Sequence, residues 1–286
     1  MAYLFCFFPQ SKIHNLKSKM TDRSRTYRTQ AVILRRRDVG DADRVLTVFT
    51  PDRGKLELIG KGIRKTTSRK AGHLELFTHV SFLAAQARTW DIITEAQAIQ
   101  SFRHLRTDLD TIGQASYVAE LMDAFTQSED ENKLLWDLLL LVLRELDEGA
   151  ETGREGDEET GSVGADSGVL MRWFELHLLG LVGFQPELFH CLNCGEDLQP
   201  VTNYLSIQDA SIYCPRCGES RGGIEPIEVD VLKVLRYLQS RPWATVRSLT
   251  VRPVIMNRVE SILYRTLITV LERQLKSVSF MRHVRK

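Results

Sequence analysis

The chain predicts an α+β fold, with a small N-terminal β-barrel followed by an α-helical domain that carries a four-cysteine module. Three observations predict it. Five short segments between residues 26 and 101 alternate apolar and polar residues. From His104 the apolar period changes to that of a helix. Four of the five cysteines fall in one pattern, Cys191-x2-Cys194-x19-Cys214-x2-Cys217.

The strands come first. Tyr27–Arg36 is centred on Ala31-Val32-Ile33-Leu34, and Asp43–Thr50 reads as its neighbour. Pro51-Asp52-Arg53-Gly54 has proline early and glycine last, as a β-turn requires, and Lys55–Gly60 returns from it. His79–Ala85 and Asp91–Gln97 complete the set. Five short strands in this length suit a small barrel, and an OB-fold is the leading form.

The helical part begins with Tyr117, Leu121 and Phe125 at intervals of four, beside Val118 and Met122. Lys133–Leu146 holds Trp136 and a dense leucine run, so it buries more than one side. Residues 148–168 are rich in Gly, Glu, Asp and Ser, and read as an acidic disordered loop. Val169–Val182, Glu228–Leu238 and Asn257–Lys276 resume the helical pattern. On the last of these, Val259, Ile262, Leu263, Leu267, Val270 and Leu271 share one face.

The cysteine spacing predicts a structural Zn2+ site. Two Cys-x2-Cys turns bring four soft thiolates to one tetrahedron, with no ligand position left for water or substrate. The competing reading is a redox or disulfide set. Glycine follows each second cysteine (Gly195, Gly218), as expected where the backbone turns left-handed. Tyr204–Ile207 and Ser211–Tyr213 supply two short strands, as in a zinc ribbon. The domains are therefore residues 1–25, a disordered or artefactual N-terminal extension; 26–101, the barrel; 102–188 with 224–286, the helical domain; and 189–223, the zinc module.

Composition bounds the rest. With 43% hydrophobic and 26% charged residues the chain is of ordinary globular type. No apolar run reaches membrane-spanning length. Cysteines kept for a metal site point to a reducing cytoplasmic setting. Net charge is only +1, yet it is polarised. Arg23–Lys70 holds 14 lysines and arginines against five acidic residues, whereas Glu145–Asp166 holds nine acidic residues against Arg154 alone. The basic end predicts an anionic partner.

Candidate nucleic-acid contacts are Arg35, Arg36 and Arg37 at the end of the first strand, Arg53 and Lys55 at the hairpin, and Lys61, Arg64, Lys65, Arg69 and Lys70 in the loop after the third strand. Such loops bind phosphates without reading bases. Phe49, Phe77 and Phe82 are expected in the core; Trp90, beside Arg88 and Asp91, is the best candidate for an exposed ring. Asp38, Asp41 and Asp43 lie among arginines, where local ion pairing is the expected role. No nucleophile elbow, phosphate-binding Gly-Lys-Ser/Thr loop or His-Glu-x-x-His motif is present, so no catalytic set is expected. An RNA-binding protein of translation or RNA processing would share a basic barrel and a ribbon.

Four blocks resemble the RecO family of bacterial DNA repair and recombination proteins. They are Asp41–Lys55 with Lys61–Lys65, Phe102–Leu109, Leu179–Pro186 leading into Cys191 and Cys194, and Leu275–Ser277. The resemblance spans about residues 25–280, and departs at Leu76-Phe77, read as strand, where the family usually has Pro-Phe. It implies an OB-fold, a helical body and, in the branch with four cysteines, zinc. It also implies a nucleoid-associated protein without enzymatic activity. Such a protein would bind single- and double-stranded DNA, anneal strands, and act with single-strand-binding protein and RecR in loading RecA.

Overall fold

A computed structural model describes residues 25–155 and 167–278. The expected N-terminal extension, apart from Arg25, and residues 156–166 of the acidic stretch lie outside the described residues. Five strands, β1 (Thr26–Val39), β2 (Asp43–Thr50), β3 (Gly54–Gly60), β4 (His79–Ala85) and β5 (Asp91–Gln100), close a barrel in the order β1-β2-β3-β5-β4. All pairs are antiparallel except β3 with β5, where Leu58 and Ile59 lie beside Asp91 and Ile92. This is the OB arrangement.

The run Ala31-Val32-Ile33-Leu34 is apolar throughout because β1 is covered on both faces. Ala31 and Ile33 enter the barrel core with Leu46, Val48, Leu58, Phe82 and Ile93. Val32 and Leu34 point the other way and join Phe49, Phe77 and Phe102 in the core of the helical body. Barrel and body are thus fused through shared apolar surface, with fully buried side chains each stabilising the fold by roughly 1.5–3 kcal/mol. Leu76-Phe77 is not part of a strand. It lies in a turn, with Phe77 at φ 65° and its N–H donating to Ile33 O at 2.9 Å. Burial of the ring on β1 holds that conformation.

After a short 3-10 turn at Arg103–Arg106 come α1 (Leu109–Phe125), α2 (Lys133–Glu155) and α3 (Ser167–Leu181). Arg106 fastens the turn to the barrel by donating to Leu76 O at 2.7 Å and Ser101 O at 2.8 Å. The Asp108 carboxylate caps α1 at Thr111 N. The acidic stretch does not become a loop at residue 148: α2 runs on to Glu155. His104 of the 3-10 turn faces Asp147 and Glu151, and Arg247, just after the later helix at Trp243–Val246, lies 3.4 Å from Glu145 and 3.9 Å from Glu148.

Helix α3 is central. It packs against α2 and against three later helices, α5 (Val229–Ser240), α6 (Trp243–Val246) and α7 (Pro253–Leu271). Inside, Tyr117 on α1 donates to Glu175 on α3 at 2.6 Å, and Arg172 lies 2.9 Å from the same oxygen. On α7, Val259, Ile262, Leu263 and Leu267 are buried as one face. The helix stops at Leu271, short of the expected Lys276, because Glu272 turns left-handed at φ 53°. The next helical turn is seeded elsewhere: Glu120 on α1 accepts from Lys276 N and Ser277 N, both at 2.8 Å.

Between α3 and α5 lies the four-cysteine module. It has a sheet ordered β7-β6-β8, with β6 at Asn203–Ser206, β7 at Ser211–Tyr213 and β8 at Glu225–Ile227. A single helical turn, α4 (Pro215–Gly218), follows β7. The strand β8 lies beyond residue 223, where composition placed the module's end. It is an edge strand, the position in which Pro226 costs no ladder bond.

Candidate nucleic-acid interface and metal centre

The register of the barrel places the basic residues. On β1, Arg35 pairs across to Thr47 and Arg37 to Val45, and Thr47 in turn faces Glu57 on β3. Arg35 is exposed, 3.7 Å from Glu57 and 3.4 Å from Asp123. Arg36 turns to Glu75 and is mostly covered. Arg37 is exposed, its guanidinium 5.7 Å from the centre of the Trp90 ring. Arg53 stacks 4.1 Å over the Tyr27 ring at the far end of the barrel.

Lys55 points into the junction with the helical body, where Nζ donates to Asp123 O at 2.6 Å. Lys70 is also a structural tie, donating to Ile93 O at 2.7 Å and so pinning the loop to β5. Arg64 reaches back to Asp38 at 3.3 Å and to Gly40 O at 3.2 Å. Lys61, Lys65 and Arg69 are exposed on the same loop. The structure therefore brings Arg35, Arg37, Lys61, Arg64, Lys65 and Arg69 to the accessible surface, with Arg53 exposed at the opposite end of the barrel, and uses Lys55 and Lys70 to hold the fold.

The aspartates near the first turn work locally. Asp38 lies 2.7 Å from Arg44, whose hydrogen bond, with further help from Arg64, holds its carboxyl below the usual range. Asp43 Oδ1 accepts from Gly62 N at 2.7 Å and anchors the start of the basic loop. Among the described residues, the group of metal-ligand type is the cysteine set alone.

There, the four sulfurs lie within 4.8 Å of one another, and Cys194 Sγ is 3.9 Å from Cys214 Sγ. Four sulfurs around one tetrahedral ion with bonds of about 2.3 Å would stand about 3.8 Å apart, so the residues fit a metal. Gly195 N closes the first knuckle by donating to Cys191 O, and Cys214 N donates to Cys191 Sγ at 3.3 Å. Burial opposes the Cys191 thiolate, but the N–H groups of Cys194, Cys214 and Asn193 outweigh it and lower the thiol to about 6. Burial pushes the Cys214 thiol up to about 12. A cation shared by the four would hold both as thiolates.

The two glycines act differently from one another. Gly195 turns left-handed at φ +72°. Gly218 ends α4 in ordinary helical backbone, and is required because a Cβ there would stand 2.7 Å from Tyr204 Cβ.

Two donors escaped the sequence reading. Asn193 Nδ2 lies 3.4 Å from Cys217 Sγ. Arg216 is bound first to Glu196, at 3.1 Å, and also to the Cys194 and Cys217 sulfurs, which keeps its guanidinium charge firmly in place. Each stands just before the second cysteine of its knuckle and reaches the other. That shared position was the available signal.

The family model "Recombination protein O N terminal" matches residues 23–102, and "Recombination protein O C terminal" matches 106–156 and 160–279. A DNA repair protein RecO of Roseiflexus sp. is 38% identical over 264 residues, covering 92% of this chain and 88% of the relative. One of Dehalococcoides mccartyi is 34% identical over 255 residues, covering 89% and 94%. A third, of Pelotomaculum thermopropionicum, is 34% identical over 257 residues, covering 89% and 93%. The barrel is the part that matches the N-terminal model, and the helices with their cysteine module match the C-terminal one. The chain belongs to the recombination protein O (RecO) family of DNA repair proteins.

Proposed function

We propose that the protein is a recombination mediator that binds single- and double-stranded DNA and anneals complementary strands coated with single-strand-binding protein. With RecR, it then helps to load RecA. It does so in the cytoplasm, at the nucleoid, without breaking or making covalent bonds. Among the described residues no helix is long and apolar enough to cross a membrane.

The observation that carries this reading is the exposed basic loop Lys61–Lys70 on an OB barrel, in a chain of this family. Two DNA strands repel each other as polyanions. A rim of Lys65, Arg69 and Arg37 neutralises phosphates of both, while contacts of modest strength allow release once pairing is complete. The ion at the cysteine cluster is Zn2+, bound by Cys191, Cys194, Cys214 and Cys217. Four thiolates match its preferred donors and close its coordination, so its role is to hold the module on the helical body.

The test is annealing of complementary strands, each coated with the cognate single-strand-binding protein, with and without the chain. Acceleration by substoichiometric protein, without ATP and falling steeply with salt, is expected. No acceleration by folded, zinc-loaded protein, together with tighter binding to RNA than to DNA of the same sequence, would overturn it in favour of an RNA-binding role.

A further inference from the structure

Of the four tryptophans, Trp136, Trp173 and Trp243 are buried in the helical body, each at 5% exposure or less. Trp90 is different. It is partly exposed and ends the connection between β4 and β5. Its Nε1 lies 3.4 Å from Glu57 Oε2, which fixes the ring against the outer face of β3. The Arg37 guanidinium stands 5.7 Å from the ring centre, and Arg35 reaches the same Glu57 at 3.7 Å. The indole therefore has Arg37 beside it, while Arg35 shares its Glu57 partner. Arg37 also adjoins Asp38, the residue that holds Arg64 of the basic loop at 3.3 Å.

OB barrels bind oligonucleotides on the face of strands two and three, between the loops that join strands one to two and four to five. Trp90 occupies the second of these loops, and Arg37 lies on the strand leading to the first. On the other side of the β4–β5 loop lies a cleft of about 630 Å³ lined by Tyr27, Arg53, Asp52, Asp91 and Glu129. Its three carboxylates repel phosphodiesters, so a strand following the basic loop is kept on the Trp90 side.

We propose that Trp90, with Arg37 beside it, is a stacking site for one unpaired nucleobase, and that this site separates single strands from duplex. An unpaired base has a free π-face for the indole, while its phosphate meets Arg37; in duplex both faces of each base are already covered. The loop from Lys61 to Lys70 touches phosphate in either case. The inference rests on the DNA-binding reading above.

The full chain is titrated with an oligothymidine strand and with a hairpin duplex at the same salt, following both anisotropy of the labelled DNA and indole emission. Wild type should show emission quenched by the single strand and left unchanged by the duplex, since the other three indoles are shielded. Trp90→Phe should lose the quenching while keeping most of the affinity. Trp90→Ala should bind the single strand about tenfold more weakly, with duplex affinity unchanged. Wild-type quenching absent despite binding, or Trp90→Ala weakening neither ligand or both equally, overturns the stacking site and leaves DNA binding intact. Failure of the wild type to bind either ligand overturns both readings.

Discussion

The Lys55 ammonium is held by Asp123, 2.6 Å from its carbonyl oxygen and 3.1 Å from Oδ1. This joins the β2–β3 hairpin to the end of α1, and the backbone repeats the link, with Glu129 N donating to Lys55 O at 3.1 Å. A basic residue that composition assigns to DNA is thus a tie between barrel and body. Lys55→Met should destabilise the chain by about 1–2 kcal/mol, since both charged partners are largely screened from water and Asp123 retains only Arg35. Its effect on DNA affinity should be smaller than that of Lys65→Ala. Chemical denaturation and DNA titration of both variants check this; an unshifted midpoint for Lys55→Met would refute the tie.

The basic loop separates in the same way. Lys65 and Arg69 are exposed, whereas Lys70 is spent on Ile93 O. The double variant Lys65→Ala/Arg69→Ala should bind single-stranded DNA more weakly and reduce the slope of log affinity against log salt by about 1.4, two phosphates' worth. Its melting temperature should stay near that of wild type, while Lys70→Ala lowers it. A slope unchanged in the double variant would remove this loop from the interface.

Where local pattern decides the outcome, the sequence was legible. The short apolar, β-branched runs of β1, β2 and β4 bounded by turn residues and the Cys-x2-Cys spacing are local signals, and strands and cluster stand where those signals place them. What escaped depends on distant partners. The extension of α2 through Glu148 and Glu151 needs Arg247 and His104 opposite. The three-residue β8 exists only because β6 offers an edge. Leu76-Phe77 looks like strand sequence, but Ile33 O captures the Phe77 amide and turns the chain. Lys55 and Lys70 stand among the candidate DNA contacts in the sequence because composition carries no record of Asp123 or Ile93 O.

Gly218 gives a prediction that separates sterics from turn geometry. Its backbone is helical, so Gly218→Ala gains helix propensity, but its Cβ would stand 2.7 Å from the Tyr204 side chain. The overlap should win, costing about 1–3 kcal/mol and loosening α4, which carries Cys217. Loaded with zinc in vitro, the variant should surrender the ion to a chelator faster than wild type, as Cys214→Ser should more severely. The companion change Tyr204→Gly, which removes Cβ, Cγ and Cδ2 together, should restore metal retention to Gly218→Ala by removing the clash. If the double variant releases metal as fast as the single one, the contact is not the cause.

Glu225 should contribute to the acid sensitivity of stability. The hydrogen bonds from Arg265, chiefly, and then the Arg258 charge hold its carboxyl below the ordinary value of 4.5. Arg265 Nη1 is 3.0 Å from one oxygen, and Arg258 Nη2 is 3.1 Å from the other. A carboxyl whose pKa is depressed on folding contributes its full stabilisation above the unfolded value, and loses it as pH falls through the folded one. The link ties β8 of the cysteine module to α7, so acid should loosen the module from the helical body. Glu225→Gln should remove about 1–2 kcal/mol at pH 7 and flatten the further loss below pH 4.5. Denaturation curves for wild type and variant from pH 7 to 3 check it. Parallel curves across that range would mean that the carboxylate and its two arginines contribute nothing to acid sensitivity.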